Sequence, residues 1–291
     1  MIENKTMGDR IFGAVIYGIM GILSFLCLYP MLHVIFASVS DPMQLMRHSG
    51  VLLHPLGFSA EGYKVVFQNP NIPASYLNTI LYVTVGVSIN IILTTMGAYA
   101  LSRKGYMFKR SITFLIIFTM YFSGGMIPNF LLVKQLGLYN SIWALVLPGA
   151  ISVWNMIVMK TSFQAIPLSL EESARIDGAN DFVILWKIFL PVSKATIAVM
   201  LLFYAVGHWN SWFNAMIYLR DRSKYPLQLI MREILISNSS SGNVIEDADT
   251  LFLQEVIKYA TIVISTVPIL CIYPFVQKYF MTGVMMGSLK E

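Results

Sequence analysis

The chain has 291 residues, of which 56% are hydrophobic and only 12% charged, with a mean hydropathy of +0.66. A soluble domain of this size carries about twice that share of charge, so the soluble globular class is excluded and nearly the whole chain belongs to a membrane unit. The net charge of +5 is too modest to call for nucleic acid, and a bias of Lys and Arg toward one side of a membrane accounts for it.

Six apolar runs reach the length at which about 20 residues cross about 30 Å of hydrocarbon. They predict spans at 11–38, 77–101, 111–133, 141–159, 192–219 and 260–280 of a single transmembrane domain covering 1–291. The first run is too long for a signal peptide and has no small-x-small cleavage site, so it reads as a retained span. Pro268 and Pro274 are expected to kink the sixth. Six spans put both termini on one side. With the N-terminus inside, twelve Lys and Arg fall on inner segments and eight on the longer outer ones; the turn 102–110 alone holds Arg103, Lys104, Lys109 and Arg110. The positive-inside rule then predicts cytoplasmic termini, a cytoplasmic loop at 160–191, and outer loops at 39–76 and 220–256. Within the second outer loop, the polar run 237–243 reads as flexible. Lys5 and Lys290 count among the inner charges. Cys27 and Cys271 lie in apolar runs and are expected as buried thiols, without a disulfide or metal-type spacing. The 18 Met residues, among them Met281, Met285 and Met286, read as packing.

Between the fourth and fifth runs stands SLEESARIDGANDFVILWKIFLP, residues 169–191, unusually rich in charge. Its local chemistry predicts a short helix, a turn and a second short helix. Ser169 and Glu172 have the spacing of a capping box. Gly178 supplies the left-handed residue that ends the first helix. Asn180 caps a second helix carrying Phe182, Leu185, Trp186 and Phe189, and Pro191 suits the first turn of the next.

This stretch resembles the EAA loop of ABC importer permeases. The family pattern stands here as Glu172-Ser173-Ala174, then Gly178, then Ile188-Phe189-Leu190-Pro191, with Ser173 where the family usually has Ala. The text EESARIDGAN, the run 122–150 and the C-terminal stretch from Tyr259 resemble the carbohydrate-uptake branch, close to oligosaccharide permeases of the second-subunit type. The resemblance implies an all-α membrane protein with six transmembrane helices and a cytoplasmic coupling helix between spans four and five. It implies a heterodimer with a homologous second permease, two ATPase subunits that bind ATP and Mg, and a periplasmic or lipid-anchored solute-binding protein, in the bacterial inner membrane. It assigns ATPase coupling to Glu171, Glu172, Ser173, Ala174, Asp177, Gly178, Leu190 and Pro191. The substrate class it implies is an oligosaccharide. Acidic sugars such as alginate or pectin fragments fall within the branch, and nothing in the sequence selects them.

Absences point the same way. The six runs contain no Asp or Glu in their interiors, and His33 and His208 are the titratable groups well inside. A carrier driven by protons or sodium needs ionisable groups at membrane depth. No phosphate-binding G-x-x-x-x-G-K-[ST] loop, H-E-x-x-H, C-x-x-C or G-x-S-x-G element occurs. The chain is therefore expected to catalyse nothing, to bind no cofactor or metal of its own, and to take its energy from a cytoplasmic partner. An importer of peptides or polyamines, a stand-alone channel and an intramembrane enzyme are the alternatives.

Polar groups inside a bundle face other helices or a watery path. The substrate-path candidates are Asn155, Trp209, Asn210, Trp212 and Asn214, alongside Asn90, Asn129 and His208 as intramembrane polar groups. Asn210 and Asn214 are four apart and would share a helix face, with Trp209 and Trp212 flanking it as a platform for a sugar ring. The competing reading makes these Trp interface anchors and these Asn interhelical glue.

Overall fold

A computed structural model describes residues 7–103, 105, 107–240 and 248–288. Lys5, Lys104, Lys290 and positions 241–243 of the polar run lie outside the described residues. All regular structure among the described residues is helical. These residues form two compact units, one within 1–70 and 233–267, the other within 71–232 and 268–291.

In the first unit, α1 (Met7–Ser38) is apolar all round, and its most apolar stretch buries nothing inside the chain. Such a helix has its partner in lipid or in another subunit. Cys27 is exposed on it as a free thiol, and so is Cys271, in contrast to the buried thiols expected; both helices turn apolar surface outward there. The chain then turns sharply. Ser38 Oγ donates to the Ile35 carbonyl and pairs with the Tyr63 hydroxyl at 2.8 Å, while Ser40 Oγ accepts from the Leu56 amide. Asp41 caps α2 (Pro42–Arg47) by accepting from the Gln44 amide. In α3 (Glu61–Gln68), a Cβ on Gly62 would stand 2.7 Å from Val256 Cγ1, so glycine permits that contact.

The second unit is built on α4 (Asn71–Ser102), a 32-residue helix. The run 111–133 is not one straight helix. It forms α5 (Lys109–Tyr121) and α6 (Met126–Gln135), which meet at 109° where Ser123, Gly124 and Gly125 release the backbone. The run 141–159 divides into α7 (Trp143–Val146) and the start of α8 (Val153–Gln164), separated by a segment with Pro148 and Gly149. Beyond the loop region come α9 (Leu168–Ile176), α10 (Asp181–Ile184), a π-helical turn at Leu185–Phe189 and α11 (Leu190–Val192). The run 192–219 holds α12 (Lys194–Trp209) and α13 (Phe213–Tyr218), with no helix at 210–212. The tenth to twelfth helices are set at 87° to one another across Ser193, counting 181–192 against 194–209. A 3₁₀ turn at Arg222–Lys224 leads to α14 (Leu227–Ser240) and α15 (Ala248–Ser288), whose described residues within 233–267 belong to the first unit. The polar run expected to be flexible from 237 thus starts as the last turn of α14. Among the described residues, three helices are long and apolar enough to cross a membrane alone, and five crossings result if each bent pair counts as one.

The break between α7 and α8 is paired by side chains from distant helices. Fully buried Asn90 donates its amide to the carbonyls of Gly149 and Ala150, both at 2.8 Å, and its Oδ1 lies 2.6 Å from His208 Nε2. Since that oxygen only accepts, His208 carries the proton on Nε2. The Tyr204 hydroxyl accepts from the Ser152 amide and pairs with Thr94 Oγ1 at 2.6 Å. Gly86 makes room for the imidazole: a Cβ there would sit 2.5 Å from Nε2.

A second clamp centres on Asn140, which has φ 61°. Its Oδ1 accepts from the amides of Arg220 and Asp221, and its Nδ2 donates to Asp221 Oδ2 at 2.7 Å. Lys224 donates to the Asn140 carbonyl, and the α4 side chains Asn78, Thr79 and Tyr82 bind the backbone at 223–227.

Replacing Asn90 by Leu leaves buried carbonyls unpaired. We expect a loss of about 1–3 kcal/mol for such a group, read as a lower thermal midpoint in detergent, whereas the same change at exposed Asn129 leaves the midpoint nearly unchanged. At the second clamp, the Asn140 amide foremost and then Lys224 hold the Asp221 carboxyl below its ordinary range. Its stabilisation is therefore complete above about pH 4 and is lost as pH falls through the lower folded value. Wild type should exceed Asp221→Asn in thermal midpoint at pH 7, and the gap should close in acid.

Candidate functional site

α9 begins after Pro167, whose φ of −57° suits the approach to a helix, and no side chain caps it. Ser169 lies inside the helix, so the expected Ser169–Glu172 capping box does not form; Ser169 instead offers its carbonyl to Ser173 Oγ. Glu172 is thereby left exposed. The helix ends as expected on Gly178, at φ 81°. The Gly178 amide bonds to the Arg175 carbonyl and the Ala179 amide to Ala174, the two bonds of a Schellman motif. Asn180 caps α10 by accepting from the Val183 amide at 2.9 Å. Pro191 has no N–H to give and its ring crowds the carbonyl four residues earlier. The chain adapts with the π-helical turn, in which the Leu190 amide reaches back five residues to Leu185.

One face of α9 is held by a charged cluster. Glu171 bonds Arg103 Nη1 and, at 3.0 Å, Arg175 Nη2. Arg175 also pairs with Asp181 at 2.6 Å, and the Tyr99 hydroxyl donates to the same Asp181 oxygen at 3.0 Å. Hydrogen bonds to Glu171 and Asp181 raise the Arg175 pKa and keep it charged. The Arg103 guanidinium stands 4.3 Å from the Phe189 ring centroid and 4.6 Å from that of Tyr99. Phe189 is buried and packs edge-on against Tyr99 and Phe163. Arg103 thus joins the end of α4, the coupling stretch and the π turn, beside a groove of about 890 Å³. Ala174 and Leu190 pack on the same apolar cluster. Glu172, Ser173, Ile176, Asp177 and Gly178 are exposed, and Pro191 is too. Of the coupling candidates, then, Glu171, Ala174 and Leu190 face the protein and the others face outward.

The path candidates do not form one platform. Asn155 is buried in the core, and Trp209 is buried with its ring edge-on to Tyr76. Asn210 ends α12 and Asn214 lies in α13, both exposed. The intervening break takes them off the common helical face expected from their spacing. Trp212 is half-buried against Phe213, with the Arg232 guanidinium 3.6 Å from its ring centroid. Sequence reasoning gave neither Arg103 nor Arg232 a place in the site; Arg103 is defined by the Glu171 carboxylate and the Phe189 ring, and Arg232 by the Trp212 ring, all remote in the chain, and charge alone gives no sign of that.

No protein-family model matches the chain. It is 42% identical to the polygalacturonan/rhamnogalacturonan transport system permease protein YtcP of Bacillus subtilis (strain 168), over 98% of this chain and 100% of that one. The chain belongs to the permease subunits of sugar-importing ABC transporters. It is also 38% identical to the protein LplC of the same organism, over 99% of this chain and 97% of that one. Among solved structures, it matches a chain of a bacterial ABC transporter that imports the acidic polysaccharide alginate, with a TM-score of 0.85, 36% identity and coverage of 94% and 98%. A second alginate transporter chain, solved in complex with an alginate pentasaccharide-bound periplasmic protein, shares the fold at a TM-score of 0.60 and 16% identity, over 94% and 96%. The permease is a membrane protein.

If Arg103 and Glu171 act through one contact, their effects are not additive. In a double-mutant cycle of Arg103→Gln and Glu171→Gln, the two single losses of stability should exceed the double by about 0.5–3 kcal/mol, measured by denaturation of the permease in detergent.

Proposed function

We propose that this permease imports acidic oligosaccharides across the bacterial inner membrane, with both termini and α9 on the cytoplasmic side. A homologous second permease completes the path, and a solute-binding protein delivers the sugar. Two ATPase subunits hold ATP and Mg and hydrolyse the nucleotide; this chain supplies no catalytic group. The observation that carries this reading is the full-length similarity to a polygalacturonan/rhamnogalacturonan permease and to an alginate importer chain.

α9 is the natural coupling element. A rigid helix fixed on one side by Glu171 and Arg103 and bare on the other transmits force through packing. Its exposed Glu172 offers a charge-assisted contact to a basic group of the ATPase. Closure of the ATPases presses α9, the push passes through Arg103 and Phe189 to α4 and α12, and the path opens outward; parting of the ATPases opens it inward.

The test is ATP hydrolysis and uptake by the reconstituted assembly. Oligogalacturonate with its binding protein should stimulate hydrolysis, and the permease alone should carry nothing across liposomes. Unaided transport would overturn the reading. Gly178→Val should lower stimulated hydrolysis and uptake while the protein still inserts. No atom lies within 4 Å of an added Cβ, so the penalty, about 1–2 kcal/mol, comes from the left-handed backbone itself.

A further inference from the structure

The run 192–219 was expected as one continuous span, yet its helix opens at 210–212. Backbone that leaves its helix at membrane depth persists only against protein or against water. Asn210 and Asn214, on either side of the opening, are exposed and apolar lipid offers them nothing. The opening therefore faces water or another subunit rather than lipid. Beside it the Trp212 ring is half-buried, and Arg232 lies across that ring with its carbon centre 3.6 Å from the centroid.

Arg232 differs from Arg103 and Arg175 in this unit. Arg103 and Arg175 each have a carboxylate. Among the described residues, Arg232 has none; its Nη1 has only the Met216 sulfur, at 3.7 Å. A guanidinium stacked on indole is held flat while its N–H edge stays free for the two oxygens of a carboxylate. The stacking lowers the ordering cost that a free arginine would bear. Asn210 and Asn214, amides of the kind that bond sugar hydroxyls, lie two residues before and two after Trp212 in the chain.

From this arrangement we propose that Arg232, laid over Trp212, is the specificity-determining contact that reads the carboxylate of a uronate residue as the sugar passes. The proposal rests on the acidic-oligosaccharide reading above and deepens it. A neutral sugar presents the same ring and hydroxyls but leaves the guanidinium without its charge partner.

The experiment compares the assembly carrying wild type, Arg232→Gln and Arg232→Lys, each with saturating binding protein. ATP-driven uptake of trigalacturonate is measured together with solute-independent ATP hydrolysis. Removing a charged hydrogen bond of this kind should cut uptake by roughly tenfold to a hundredfold in the Gln variant. The Lys variant should recover part of it, and solute-independent hydrolysis should stay at the wild-type level in both. Wild-type uptake by Arg232→Gln overturns the subsite, as does an equal loss in both variants or a matching loss of solute-independent hydrolysis. These results leave the importer reading standing. A wild-type assembly that carries neutral trisaccharides but not trigalacturonate overturns the acidic-substrate reading, and the subsite with it.

Discussion

At membrane depth, every backbone group released from a helix must find a partner in protein or in a water-filled cavity. The second unit of this permease has three such releases, at 122–125, between α7 and α8, and at 210–212. The one between α7 and α8 is met by Asn90 and Tyr204, which reach from α4 and α12 to the carbonyls of Gly149 and Ala150 and the amide of Ser152. One asparagine satisfies two acceptors and a histidine together. It fixes the positions of α4, the α7–α8 segment and α12, and with them the frame on which the coupling stretch sits.

That frame ends in a different kind of joint. Near Arg103 the apolar contacts of Phe163 and Phe189 give way to a half-buried set of charges. Pairs of this type add little net stability when both partners are present, but they are costly to break singly. The cluster therefore fixes the orientation of α9 more than it adds to the stability of the fold. The π turn forced by Pro191 and the 87° bend after it carry that orientation obliquely into α12.

Much of the coupling stretch was legible in the sequence because its rules are local. Gly178 and Asn180 act on neighbours within four residues, and both stand where their chemistry put them. The Ser169 cap was misread because Pro167, also local, starts the helix earlier. The apolar runs were legible as composition but not as geometry. Hydropathy cannot register a break whose carbonyls are met by a side chain 59 residues away, as Gly149 is by Asn90. The same holds for Arg103, which meets Glu171 68 residues later, and for the face shared by Asn210 and Asn214, which spacing implied and the opening at 210–212 removes.

The missing side chain at Gly86 has its own consequence. The imidazole of His208 fills the space a methyl group would need and is tied to Asn90 one turn further along α4. Two helices notched together in this way cannot slide or roll past each other without first unseating the ring. During a transport cycle α4 and α12 must travel as one plate, so the seams that part and reseal belong to the surfaces this plate shares with its surroundings.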